Sequence, residues 1–506
     1  MKRFFLSYPN HILLFISLAV SFPLLFENAL EHSFPMGYAG LFTQMSKQIA
    51  DANFRLPMES PFYGPGGIPF AYPPFGLYLL AILIKLTGKY FIFLRLLPPL
   101  LSLISLIPLF YLTLELSKSP IAAMFTVFLT ATSQDLYVAH TWAAGIVRAP
   151  AFMLALTSLY FFSRHLNTRS QDHVILTGVF MGLAFMSHLM YGLFCFLWIW
   201  WWTLFNKNAF ASIKDSMISS VIGFLTVSIW LVPIFFRHGI VTFINAFNSH
   251  GGESTLSFWQ NLQGLFNSFW INIDPVTSSS LLSVLVSIGI LTLLVKRESI
   301  FPLFYLFIIL VFPEGARFIF LIGCLFAGIG LSALVDWASA ISKGRLQPLV
   351  ITLLLVPVFG IIWWNGFRAL SRNTPLIDNA TLYLADYVHE NMPSNGKYLA
   401  LMKQDEAEWM PFLFQHQPLV SQWGSEWLGA YNEQTYLTSR FNGCRLNQDW
   451  SCVESIIEET GDVPDYVITY VKNNRLNQEI LSTNQWMQIY ANEIYTVWSQ
   501  KTDLGK

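Results

Sequence analysis

Apolar residues run through this chain in blocks long enough to bury whole helices. About eleven of them read as membrane-spanning helices, at roughly 11–27, 91–114, 120–138, 145–163, 173–189, 190–205, 216–236, 279–295, 299–312, 318–338 and 347–365. A further apolar stretch, 72–88, follows "YGPGGIPFAYPPF", where glycines supply tight turns and prolines stiffen the entry to a helix. Its 17 residues reach about 25 Å, short of a hydrocarbon core of about 30 Å.

Positive charges decide whether that stretch crosses. With the N-terminus cytoplasmic and 72–88 not crossing, the inner loops hold Lys118, Arg164, Arg169, Lys207, Lys214, Lys296, Arg297, Lys343 and Arg345. The outer loops then hold only Arg148, Arg237 and Arg317. If 72–88 crosses, the bias reverses. The segment is therefore expected to be a juxtamembrane or re-entrant helix on the outer face, with Lys85, Lys89 and Arg95 clustered there. Residues 1–365 form the transmembrane domain, of which 28–90 is one long outer loop with juxtamembrane helices. Residues 366–506 form an extracytoplasmic α/β domain, in which "NATLYLADYVHENM" and "DEAEWMPFLFQH" read as helix and "KYLALM", "DYVITYV" and "EIYTVW" as strand.

Composition narrows the class. The chain of 506 residues is 54% hydrophobic and 12% charged, with mean hydropathy +0.49, whereas soluble domains carry about 25% charged residues. It is expected in the cell membrane as a multi-pass protein in contact with lipid. A net charge of −1 gives no electrostatic case for nucleic acid. No P-loop, GxGxxG or HExxH is present. The basic, apolar N-terminus lacks a small-x-small cleavage site and reads as a retained first helix. Cys195 and Cys324 lie in apolar runs; Cys444 and Cys452, in the polar tail, either pair or remain thiols.

Candidate chemistry gathers at the outer face. Glu27 and Glu31, four apart, share a helix face and suit a general base and an orienting partner, or else a solvated helix end. His32, Asp51 and Glu59 follow in the same loop. "ATSQDLYVAHTWAAGIVRAP" offers Asp135 as a second acid, His140, and Arg148, whose guanidinium suits a phosphate or snorkels to the interface. His188 sits within an apolar helix, and Glu314 and Arg317 at the mouth of another. His238, His250, Glu253 and Asp274 match no zinc spacing, and "FWQNLQGLFNSFW" reads as an interfacial amphipathic helix.

"FRLPMESPFYGPGGIPFAYPPF", followed by "LYLLAILIKLTG" and "LRLLPPL", resembles the GT-C superfamily of integral membrane glycosyltransferases, in the branch of the protein O-mannosyltransferases and the lipid A aminoarabinose transferase. The likeness in layout covers most of residues 1–365, and the motif match about 55–100. It implies transfer of a sugar from a polyprenyl-phosphate-linked donor to an acceptor (lipid, glycan or protein) outside the membrane. By that resemblance Glu31 is the base and Asp135 a second acid. Arg148 and Arg317, helped by Lys85, hold the donor phosphate. Glu27, His32, Asp51, Tyr72 and His188 are candidate substrate contacts. No metal ligand set is identified and no cofactor is implied beyond, at most, a divalent cation. The family's acid within the helix before its "lP" segment is missing here, since that stretch reads "FPMGYAGLFTQMSKQ". Two rivals follow: a non-catalytic envelope protein that binds glycan or lipid, and a lipid or solute transporter, which would want charges deep within its spans.

The topology predicts that a cysteine placed at residue 118 is labelled only from the cytoplasm, and one at 135 or 253 only from outside. Labelling of 135 from the cytoplasm would invert the whole assignment.

Overall fold

The computed structural model describes residues 10–205, 209–251, 279–311, 316–341 and 356–501. Helix α1 (Asn10–Glu31) leads into a loop bearing α2 (Gly40–Asp51), the two-residue strands β1 (Glu59–Ser60) and β2 (Ile68–Pro69), and α3 (Phe75–Thr87). "GPGG" turns the chain between β1 and β2, with Gly64, Gly66 and Gly67 all at positive φ. Helix α3 begins after Pro74 and ends at Gly88, whose left-handed backbone lets its N–H reach the Ile84 carbonyl. It is only 13 residues long, and it buries Leu77, Leu80 and Ala81.

The helical body continues through α4 (Tyr90–Ser117), α5 (Pro120–Thr132), α6 (Gln134–Thr141), α7 (Gly145–Thr168), α8 (Gln171–Ser187), α9 (Leu189–Phe205) and α10 (Ala209–Gly251). Then come α11 (Ser279–Val295), α12 (Ile300–Val311), α13 (Ala316–Ile341) and α14 (Val356–Leu370). Among the described residues five helices are long and apolar enough to cross a membrane: α1, α4, α7, most of α10 and most of α13.

The structure departs from the sequence reading in two places. The span expected at 120–138 is broken at Ser133, where α5 and α6 meet at 69°. Ser133 adopts extended backbone, and the polar run Ser133-Gln134-Asp135 starts a new helix instead of prolonging an apolar one. Helix α10 runs on well beyond 236, bent at Gly239 (φ 75°), where a loop was expected. The side chain of His250, together with Glu253, Asp274, Glu314 and the aromatic run 258–270, lies outside the described residues.

Helix packing follows membrane logic, in which close backbone approach replaces the hydrophobic effect. Gly178 and Gly182, one turn apart on α8, lie against α10. A Cβ on Gly178 would stand 2.5 Å from the Ser219 carbonyl oxygen, and one on Gly182 2.6 Å from that of Gly223.

The tail folds as α15 (Asn379–Asn391), β3 (Lys397–Leu401), α16 (Gln404–Ala407), α17 (Met410–Phe414), β4 (Gln417–Pro418), a 3-10 turn (Ser425–Leu428), α18 (Tyr431–Asn447), α19 (Trp450–Thr460), β5 (Tyr466–Tyr470), α20 (Asn474–Ser482), β6 (Trp486–Ala491) and β7 (Tyr495–Gln500). The sheet order is β4-β3-β5-β7-β6, parallel across β4, β3 and β5 and antiparallel beyond. Strand β5 is buried on both faces. Val467 packs with Phe441, Trp450 and Ile456, while Tyr466, Ile468 and Tyr470 join a core shared with α2, α3 and α7. Cys444 and Cys452 are disulfide-bonded, joining α18 to α19.

One contact ties tail to loop. Glu408 is buried, and its carboxylate accepts from the backbone N–H groups of Gly40 and Leu41, both at 2.7 Å. Those are N-terminal donors of α2 that the helix itself leaves unpaired. Tyr63 Oη donates to the Glu408 carbonyl, and Trp409 Nε1 to the Gly37 carbonyl. A Cβ at position 40 would stand 2.6 Å from the Glu408 carbonyl oxygen, so glycine is required for this approach.

Glu408→Ala orphans both N–H groups inside the core. At roughly 1.5–3 kcal/mol for hydrogen bonds to a charged group, it is expected to lower the melting temperature and open 34–60 to protease; unaltered melting and cleavage would refute the clasp. Burial raises the Glu408 carboxyl to about 7, and the Leu41 and Gly40 N–H groups pull it back. Such a group holds its proton more tightly when folded, so its contribution weakens as pH rises from 4.5 through about 7. Glu408→Gln should flatten that part of the stability–pH curve.

Candidate active site

Above the helical body, beneath the tail domain, α6, α7, α9 and α13 bring two arginines towards one tyrosine. Arg148 lies in the first turn of α7, just after the Trp142–Gly145 turn that separates it from α6. Gly145 is held so near the His140 carbonyl that a Cβ would stand 2.5 Å from its oxygen. Arg148 Nη2 donates to Tyr38 Oη at 3.0 Å, and its guanidinium carbon lies 5.9 Å from that ring's centre. Arg317, near the start of α13, places its guanidinium 5.7 Å from the centre of the Tyr191 ring. The charge of Arg148 also reaches Tyr191 and Tyr72, and both arginines act electrostatically on His140. His140 is buried, bonded at 2.6 Å to the Tyr191 hydroxyl and on its other nitrogen to the Leu136 carbonyl.

The aromatic frame comes from three parts of the chain. Tyr38 and Tyr72 belong to the first loop, Tyr191 to α9, and Trp423 and Trp427 to the tail. Tyr38 and Trp423 lie 4.5 Å apart by ring centres, and Tyr72 and Trp427 5.6 Å. His188 sits at the break between α8 and α9, its ring edge-on to Tyr191 at 5.3 Å. Tyr72, Arg148, His188 and Arg317 therefore share one neighbourhood.

The carboxylates occupy another part of the same end. Glu27 is buried and Glu31 exposed, one turn apart on the last turns of α1. Next to Glu27 in sequence, Asn28 Nδ2 donates to Tyr137 Oη at 3.0 Å, so α6 connects the two groups: its first half faces α1 and its His140 the arginines. Asp135 is exposed at the start of α6. The His32 carbonyl accepts from Arg95. Lys85 and Asp51 stand apart: Lys85 is exposed and bonds Asn53, and Asp51 pairs at 3.5 Å with Lys47. Among the described residues no three His, Cys, Asp or Glu side chains gather as a metal-binding group.

Sequence reasoning missed Tyr38, Tyr191, Trp423 and Trp427 as frame residues. The one local signal was "QWGSEW", with its two tryptophans four apart in a polar stretch. Nothing in sequence linked the two tryptophans to Arg148, 275 and 279 positions earlier.

Chemically, two guanidiniums over tyrosine rings make a cationic seat for an oxyanion. Each presents a planar fork of donors, and low-dielectric surroundings strengthen the attraction.

Solved structures share this architecture. The oligosaccharyltransferase of Archaeoglobus fulgidus, complexed with zinc and sulfate, superimposes with a TM-score of 0.61 at 14% identity, covering 91% of this chain and 68% of its own. ArnT of Cupriavidus metallidurans bound to undecaprenyl phosphate gives 0.54 at 12% identity, with 98% of each chain covered. The mycobacterial arabinofuranosyltransferase AftD gives 0.53 at 12% identity over 99% of this chain and 40% of its own. The fold is thus the GT-C fold of membrane glycosyltransferases, with a small sheet domain at its C-terminus. No curated protein matches the sequence. Residues 71–374, more than half of the chain, match the model of a family described as a 6-pyruvoyl-tetrahydropterin synthase related domain, membrane protein, and the chain belongs to that family.

Proposed function

We propose that this protein transfers a sugar from a polyprenyl-phosphate-linked donor to an acceptor at the outer face of the membrane. The observation that carries this reading is the placement of Arg148 over the Tyr38 ring and of Arg317 over the Tyr191 ring, on two helices that both pack on Tyr191 through Phe152 and Phe318. A sugar–phosphate bond breaks heterolytically only if the departing phosphate is stabilised as charge builds on it. Two fixed guanidiniums supply that stabilisation without reorganisation. The lipid portion of the donor needs an apolar path from the bilayer to the seat, which a site at a helix-bundle mouth provides. ArnT, whose fold this chain shares, was solved with undecaprenyl phosphate.

Glu31 is the proposed base, with Asp135 as a second acid. Glu31 is exposed, one turn beyond the buried Glu27, so it is open to an acceptor hydroxyl. A second reading, a glycan or lipid binder without transferase activity, is favoured by one observation. Helix α2, where the GT-C family carries its acid, ends in Asp51 as its sole carboxylate, exposed and paired with Lys47.

Undecaprenyl phosphate binding to the purified full chain tests the seat. Losing one charge-assisted contact, about 1.5–3 kcal/mol, means Arg148→Ala or Arg317→Ala weakens binding by about tenfold or more. Equal binding by both variants would remove the phosphate assignment. Glu31→Ala is expected to abolish transfer from a lipid-linked sugar while leaving undecaprenyl phosphate binding intact. Full transfer in that variant would remove the base, and no transfer by wild type with intact lipid binding favours the second reading.

A further inference from the structure

The tail domain holds an open pocket of about 60 Å3 between the sheet and α18. It lies at the C-terminal ends of the parallel strands β3 and β4, beneath the segment 418–423. This is where open α/β sheets present a crevice to ligands. Its polar lining includes Gln404, Glu408, Ser421, Thr438, Asn442 and Arg445, and its aromatic wall includes Trp423.

Three features describe the ligand. Arg445 is fixed by two hydrogen bonds from Nε and Nη2 to Asn442 Oδ1, at 3.1 and 2.6 Å. That locks an amide and a guanidinium into one planar array, leaving the Asn442 amide protons and the Arg445 Nη1 for another partner. Gln404, Ser421 and Thr438 add further hydrogen-bonding side chains along the pocket wall. The indole and Phe441 supply apolar surface for the C–H face of a ring. A pyranose sugar, with ring C–H groups on its faces and hydroxyls around its rim, matches this set.

We infer that this pocket is a saccharide-binding subsite that holds a sugar residue of the acceptor. The inference rests on the transferase reading above for the word acceptor, and on the pocket alone for the sugar. Position links the two. Trp423 lines the pocket and also lies against Tyr38, the rings tilted at 35° with centres 4.5 Å apart, and the Tyr38 hydroxyl holds Arg148. A chain of sugars seated at Trp423 thus extends towards the arginines, and the tail domain acts as the acceptor's platform over the donor's seat.

Saturation-transfer NMR on the full chain in nanodiscs, with methyl glucoside, N-acetylglucosamine and glucuronic acid as probes, tests this. At least one of the three is expected to receive saturation from the protein, with affinity falling tenfold or more in Asn442→Ala and in Trp423→Ala. Undecaprenyl phosphate binding, measured in parallel, stays at the wild-type value in Asn442→Ala, which also reports that this variant is folded. Absence of saturation in all three sugars with wild type, or equal affinity in wild type and Asn442→Ala, overturns the subsite. Sugar binding without any undecaprenyl phosphate binding instead keeps the subsite and discards the donor seat.

Discussion

A carboxylate buried against a helix N-terminus holds this molecule's two halves in register. Glu408 enters from the tail, and α2 rises from the first loop, 367 positions away along the chain. A lone buried charge costs several kcal/mol to desolvate. Here two backbone N–H groups and the positive end of the α2 dipole offset part of that cost, and burial still raises the carboxyl to about 7. The contact is directional, which greasy packing is not, so it sets where Tyr38 and Tyr72 stand relative to Trp423 and Trp427. Glycine at position 40 is the steric condition for it.

From that register the site follows. Arg148 is held by a loop tyrosine, and that tyrosine packs against a tail tryptophan. Shifting the tail relative to the helices would therefore move the electrostatics of the seat as well as its cover. The break between α5 and α6 matters in the same way. A continuous helix would carry His140 along the axis of α5; the bend turns it across the bundle to the Tyr191 hydroxyl. Polar residues at the bend thus cost a straight span and provide a layer that runs between the carboxylates of α1 and the arginines.

Much of the architecture was legible without coordinates, because membrane helices are selected by composition. Runs such as 91–114 and 145–163 announce themselves, since a backbone in lipid must pair its own N–H and C=O groups. Strands β3, β5 and β7 were visible as short β-rich runs. Helix α18 was not: its 17 residues are mostly polar, and its one buried side is set by the sheet it covers. Strand β6 was missed because it alternates weakly and lies at the sheet's edge.

Of the site, the sequence determined which residue types were available at the loop-bearing end: acids at 27, 31 and 135 and arginines at 148 and 317. Charge bias along the helices places them there regardless of how the helices pack. Only the tertiary structure decided which of these meet. Arg148 and Arg317 come to one end of the bundle because α7 and α13 both pack on Tyr191, through Phe152 and Phe318, while Lys85 and Asp51, equally polar in sequence, face outward on α3 and α2. Periodicity reports the face of one helix; which neighbour that face meets depends on packing between segments hundreds of residues apart, and no local pattern encodes it.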